Sequence, residues 1–285
     1  MQKKILITVS DEVSHLYGIR FAGSFFRNKQ AVNATLFYVA PRTDFGDTRP
    51  VASDLKMDRD IRQRAKTALD TARQKLIDRG FSEENVDTTF TVNQFGTVKD
   101  IVRKARSEKY DAIVLGRRGY IFFESVMASS VTKEILARDV DLPIWICKNP
   151  EENRRNVLLC VDGSDAALRM VDHAGFMLGE ESEHSVTLFH LDTGETQDRE
   201  ALMEEARSKL LENGVSDDRI ESIVVGSATT GVAKKILEKA AGGHYAVVGV
   251  GRVGNRKGGF KEWLVGSRTM KLVESIEKAC VWISS

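Results

Sequence analysis

Short runs of β-branched and other apolar residues alternate along the chain with longer stretches whose apolar positions recur at intervals of three and four. In the second half, NVLLCVD, SVTLFHL, RIESIVV, YAVVGV and CVWIS read as strands. Between them, DAALRMVDHAGFML, QDREALMEEARSKLLEN, GVAKKILEKAAG and GSRTMKLVESIEKA carry the helical period. Near-continuous apolar strands separated by amphipathic helices predict a parallel sheet covered on both faces, with right-handed crossovers.

The series occurs twice. KKILITVSDEVSHLYGIRFAGSF is echoed by RNVLLCVDGSDAALRMVDHAGFM, so that Ile5 falls on Val157 and Thr35 on Thr187, both at an offset of 152. YDAIVLGRRG and YAVVGVGRVG align Gly116 with Gly251 at an offset of 135, which leaves 17 more residues in the first copy. That surplus falls mostly in PRTDFGDTRPVASDLKMD, read as a loop from its Pro, Gly and Asp content. Trp145 matches Trp282 at an offset of 137, placing two extra residues in the second copy after Gly254. The prediction is an α/β chain of two tandem, five-stranded, doubly wound parallel-sheet domains, residues 1–150 and 153–285, joined at the polar KNPEENRR.

Composition removes several function classes. In 285 residues, 42 Lys and Arg against 41 Asp and Glu leave no general bias toward nucleic acid or an anionic membrane, so electrostatic recognition must be local. No apolar run reaches the roughly 18 residues of a membrane helix, and the chain enters a strand pattern directly after MQKK. A cytoplasmic protein with no membrane or nucleic-acid partner is expected. Cys147, Cys160 and Cys280 lie in apolar strand-like runs without C-x-x-C spacing, as buried reduced thiols do. The five histidines are scattered, and no intrinsic metal site is predicted.

Candidate chemistry begins at GVGRVG, residues 249–254, which satisfies the G-x-G-x-x-G dinucleotide fingerprint by letter. That fingerprint also needs a helix opening at its last glycine and an acid about 20 positions on. Here the chain runs on through Asn255, Arg256, Lys257, Gly258 and Gly259, a composition that breaks helices. A different nucleotide site is outlined at the strand ends. Asp162 ends the first strand of the second copy, Leu191 the second, Gly251 and Gly254 follow the fourth, and Gly266 and Ser267 open the last helix. In doubly wound sheets ligands sit beyond the carboxyl ends of the strands. Glycines let backbone N–H groups approach phosphate, a helix N-terminus adds its unpaired donors, and Arg252, Arg256, Lys257 and Arg268 bring positive charge. Asp162 can accept from an adenine amino group or a ribose hydroxyl.

These residues resemble the universal stress protein family, whose ATP-binding members carry G-x-x-G, nine residues and G-[S/T], with an Asp ending the first strand. The likeness covers both halves. It implies ATP as the ligand, with any magnesium held through the phosphates, Asp162 and Leu191 on the base side, and Gly251, Gly254, Gly266 and Ser267 at the phosphates. The spacer NRKGGFKEWLV has eleven residues instead of nine. The first copy departs further: Ser10, Asp11 and Glu12 replace Asp-Gly-Ser, and Ser129 precedes Ser130 where the family has glycine, although Gly116 and Gly119 remain. It is expected to be a degenerate partner of the ATP-binding second copy.

Plainer explanations accompany each residue. Asp162 also fits a surface turn with Asp165 as the helix cap, Gly251 and Gly254 a tight turn, Gly266-Ser267 an ordinary helix start, and the phenylalanines of YIFFES packing. Glu200, Glu204 and Glu205 read as a solvated helix face. Three functions stay open: a nucleotide-binding stress or regulatory protein, a slow ATPase or self-phosphorylating enzyme acting at a serine such as Ser267, and an interaction scaffold. No Walker motif or kinase D-F-G set supports fast turnover. Because the last strands PIWIC and CVWIS are apolar edges with a matched Trp145 and Trp282, the two halves are expected to pair them antiparallel within the chain, as a pseudo-dimer; a homodimer is also left open.

Overall fold

The structure is a computed structural model, and it describes residues 2–11, 16–41, 52–116, 141–192, 198–226, 231–252 and 267–284, with side chains from 59 and 271 onward in the segments that begin at 52 and 267. The first half runs β1 (Lys3–Val9), α1 (Tyr17–Phe25), β2 (Val32–Ala40), α2 (Ala52–Ile77), β3 (Val86–Val92), α3 (Thr97–Ser107), β4 (Ala112–Leu115) and β5 (Ile144–Cys147). The second runs β6 (Asn156–Cys160), α4 (Asp165–Leu178), β7 (Val186–Asp192), α5 (Arg199–Glu212), β8 (Ile220–Gly226), α6 (Val232–Gly242), β9 (Tyr245–Gly251), α7 (Ser267–Ser275) and β10 (Cys280–Ser284).

The two five-stranded sets merge into one ten-stranded sheet in the order β3-β2-β1-β4-β5-β10-β9-β6-β7-β8. Neighbours within each half are parallel; at the seam β5 and β10 are antiparallel, with Cys147 opposite Cys280 and Trp145 opposite Trp282. The expected edge pairing is therefore present, and it leaves β3 and β8 as the outer edges. Alternation along the strands feeds two cores. Ile5, Ile7, Leu159 and Trp282 point to one face, under α1, α2, α4 and α5, while Leu6, Leu158, Val248 and Val281 point to the other, under α3, α6 and α7. Each core continues across the seam.

Aromatic packing closes the joint. Trp145 and Trp282 are fully buried and stacked, and Phe21 and Phe25 of α1 meet Trp282 edge-on. Removing one such ring from water contributes about 4–6 kcal/mol before entropic costs. The linker is tied to both halves: Glu152 receives Arg20 and Arg79, while Glu151 receives Arg154 and Lys278.

Local departures from the sequence reading have local causes. Ala52 to Asp58, expected as loop, forms the first turns of α2, because ASDLKMD holds no Gly or Pro and runs into the helical period that follows. The cap of α4 is Ser164, not Asp165: the Ser164 hydroxyl accepts from Ala167 N, and Asp165 is the first helical residue.

Candidate functional site

In the second half β6 lies between β7 and β9, so the strand order reverses at β6, and the carboxyl ends of β6 and β9 are where sheets of this kind take ligands. Cys160, the last residue of β6, is level with Phe189 on β7 and Val250 on β9. Two residues further along each chain segment stand Asp162, Leu191 and Arg252. Three of the sequence-predicted residues thus stand at the carboxyl ends of neighbouring strands, beside Gly251, the last residue of β9.

Asp162 is held by its own turn. Its Oδ1 accepts from Ser164 N at 3.0 Å and from Ser164 Oγ at 2.6 Å, and Gly163 between them has φ +80°, the left-handed region that favours glycine. One carboxylate oxygen therefore fixes the cap of α4; Oδ2 makes no hydrogen bond among the described residues, and the side chain is exposed. Beneath it the buried His190 contacts the Val161 carbonyl through Nδ1 at 2.7 Å, which makes Nδ1 the donor and anchors the segment that carries Asp162.

Gly251 has a packing reason that the sequence did not reveal. A Cβ there would lie 2.4 Å from Ala167 N and 2.7 Å from the Ala166 carbonyl carbon, so the first turn of α4 closes directly on β9. Gly249, two residues earlier, likewise faces Leu159 and Met170. Of these two glycines of GVGRVG, Gly251 is required by helix-on-strand contact, whereas Gly249 faces only side chains. Ser284 Oγ donates to the Ala166 carbonyl at 2.5 Å, and the Ser284 carbonyl accepts from Arg252 N at 2.7 Å, tying β10, β9 and α4 together at this corner. The Arg252 amide is consequently engaged by protein, while burial lowers the pKa of its guanidinium. Burial, reinforced by the charge of Asp162, pushes the Cys160 thiol up to about 12 and keeps it protonated.

Ser267 is the first described residue of α7, and its side chain and that of Arg268 are not among those described. Gly254, Gly266, Arg256 and Lys257, and with them the question of a helix starting at Gly254, lie outside the described residues. So do Glu12, Gly119, Ser129, Ser130 and the phenylalanines of YIFFES in the first half. In that half Ser10 follows β1, and the neighbouring Asp11 accepts a hydrogen bond from Tyr38, the residue aligned with His190. Glu200, Glu204 and Glu205 are exposed along α5. Among the described residues no group of three or more His, Cys, Asp or Glu could hold a metal ion, and no helix is long and apolar enough to cross a membrane. Sequence reasoning missed His190, Ser164, Ser284 and the role of Ala166 and Ala167; only Ser164, a Ser before a helical run, carried a readable signal.

The fold and this corner define a tandem doubly wound chain with a topological switch point at β6 in the second half of its sheet. The family model for the universal stress protein family matches residues 1–148 and again 153–283, and the chain belongs to that family. Among solved structures, a universal stress protein from Archaeoglobus fulgidus DSM 4304 is 20% identical, with a TM-score of 0.66 over 99% of this chain and 96% of its own. A functionally unknown protein from Pseudomonas aeruginosa PAO1 is 14% identical, with a TM-score of 0.54 over 99% of this chain and 92% of its own. A universal stress protein in complex with cAMP is 24% identical and covers 46% of this chain and 95% of its own, with a TM-score of 0.37. No curated protein matches the chain.

Proposed function

We propose that the chain is an adenine-nucleotide-binding regulatory protein of the stress response, holding ATP in its second half. The observation that carries this reading is the placement of Asp162, Leu191 and Arg252 at the carboxyl ends of three neighbouring strands, β6, β7 and β9, at the point where strand order reverses. The donor set fits such a ligand. Asp162 keeps an exposed oxygen for an amino or hydroxyl donor, the Leu191 backbone lies on the neighbouring strand for the base edge, and Arg252 supplies positive charge on the phosphate side. The N-terminus of α7 at Ser267 would add the backbone donors that a helix start leaves without an intrahelical partner. Gly254, Gly266 and Arg268 complete the proposed phosphate cradle, and a magnesium ion would be carried on the phosphates. Gly251 has a packing role beside the one the sequence suggested: it admits the first turn of α4 against the end of β9.

In this reading the first half, residues 1–150, has lost the acid at Ser10 and acts as the partner that completes the sheet, while residues 153–285 carry the ligand. Nucleotide occupancy then biases the corner formed by β9, β10 and α4, which includes the seam strand β10. A mass spectrum of small molecules released when the purified chain is denatured tests the proposal. About one adenine nucleotide per chain is expected, whereas a chain that releases none and takes up none from millimolar ATP would contradict it.

A further inference from the structure

The seam holds a second chemical feature. Cys147 of β5 and Cys280 of β10 are directly opposite in the antiparallel pairing, and their Sγ atoms are 2.9 Å apart. Directly opposed residues of antiparallel strands have Cα separations of about 4.5–5.5 Å, within the roughly 4.4–6.8 Å that a disulfide spans. No rearrangement of the strands is needed to join them. Both thiols are free and fully buried in the core that contains Trp145 and Trp282. Cys160 packs against the opposite core and has no thiol neighbour among the described residues.

We propose that Cys147 and Cys280 form a peroxide-responsive dithiol whose oxidation closes a disulfide between the two halves of the chain. In the first step one sulfur attacks hydrogen peroxide. An S–O bond forms, the O–O bond breaks, and the departing hydroxide takes the thiol proton as water. In the second step the other sulfur attacks the sulfenic acid. The S–S bond forms, the S–O bond breaks, and the hydroxyl leaves with the second thiol proton as water. Two thiols are oxidised and one peroxide is reduced to two waters. The 133-residue separation puts almost the whole second half inside the closed loop, so the bond restricts the unfolded chain and holds the seam shut.

Burial sets both the rate and the reagent. Desolvation and the neighbouring thiol push the Cys280 pKa well above its usual range, so reaction is slow at neutral pH. A small neutral oxidant can enter where a charged, bulky disulfide cannot. The reduced, full-length chain is therefore incubated with hydrogen peroxide or, separately, with oxidised glutathione, then denatured in iodoacetamide and mapped by mass spectrometry. Peroxide should leave one alkylated cysteine, Cys160, and a reducible peptide pair joining Cys147 to Cys280; glutathione disulfide should leave three alkylated cysteines. In Cys160→Ser the oxidised form should melt about 5 °C or more above the reduced form, a difference that Cys147→Ala abolishes. If Cys147→Ala does not fold, the same comparison with and without dithiothreitol in Cys160→Ser decides. Three alkylated cysteines after prolonged peroxide, a disulfide that includes Cys160, or sulfinic acid at Cys147 or Cys280 without a cross-link would overturn the proposal. Efficient reaction with oxidised glutathione would overturn the restriction to a small neutral oxidant.

Discussion

Trp145 and Trp282 face each other across the antiparallel pairing of β5 and β10, their ring planes 6° from parallel and their centroids 4.1 Å apart. They occupy the same position in the two repeats, so the stack marks the pseudo-twofold relation between the halves. The symmetry is broken by hydrogen bonding: Trp145 Nε1 donates to His173 Nε2 at 3.1 Å, a neutral imidazole because burial lowers its pKa to about 3. Truncating Trp145→Ala should cost about 3–5 kcal/mol in a denaturant titration. Parental stability would mean that the seam does not support the fold.

Residues 153–285 expressed alone would expose the edge of β10 and the face of Trp282 that Trp145 now covers. Sedimentation should find this fragment self-associated or aggregated at concentrations where the full chain is not. A monomeric fragment at high concentration would count against the seam as an obligatory joint.

Gly251→Ala should lower stability by about 1–3 kcal/mol, because its Cβ meets the backbone of Ala166 and Ala167 rather than a side chain that can turn aside. Thermal unfolding without nucleotide measures this cleanly. A variant as stable as the parent would return Gly251 to a role in the ligand site alone.

Two desolvated histidines, the buried His184 and the half-buried His173, predict acid sensitivity. Burial lowers His184 to about 4 and His173 to about 3, from an ordinary value of 6.5. The unfolded chain therefore binds protons more readily than the folded chain in this window; stability is full above pH 6.5 and falls as the pH drops toward 4. At pH 5 each histidine accounts for about 2 kcal/mol of loss relative to pH 7. Glu181, 3.9 Å from His184 and bonded to the backbone of Arg27 and Asn28, is raised by burial and works in the opposite sense. Urea titrations at pH 7 and pH 5 should show the loss, and His184→Leu should reduce it by about half. A pH-independent midpoint between those values would contradict the assignment.

The regular parts of this fold were legible because they follow local periodicity. DAALRMVDHAGFML corresponds residue for residue to α4, and the five strands of the second half lie within two residues of their expected bounds. The seam was readable because two apolar last strands carried the same tryptophan. What was not readable depends on approach between distant segments. Nothing in GVGRVG says that Ala167 lies where a Gly251 side chain would go, and nothing in two isolated cysteines 133 residues apart says that their sulfurs touch. Asp162 was recognised as a strand-end acid, yet its grip on Ser164 depends on the left-handed turn at Gly163.

Calorimetric titration of ATP into the full chain, its Asp162→Ala variant and its Gly266→Val variant tests the central claim most directly. The account predicts one site per chain, weakened about 5–30-fold when the Asp162 acceptor is removed, an effect of about 1–2 kcal/mol, and abolished by Gly266→Val. Two equivalent sites per chain, or a single site that neither substitution alters, would contradict it.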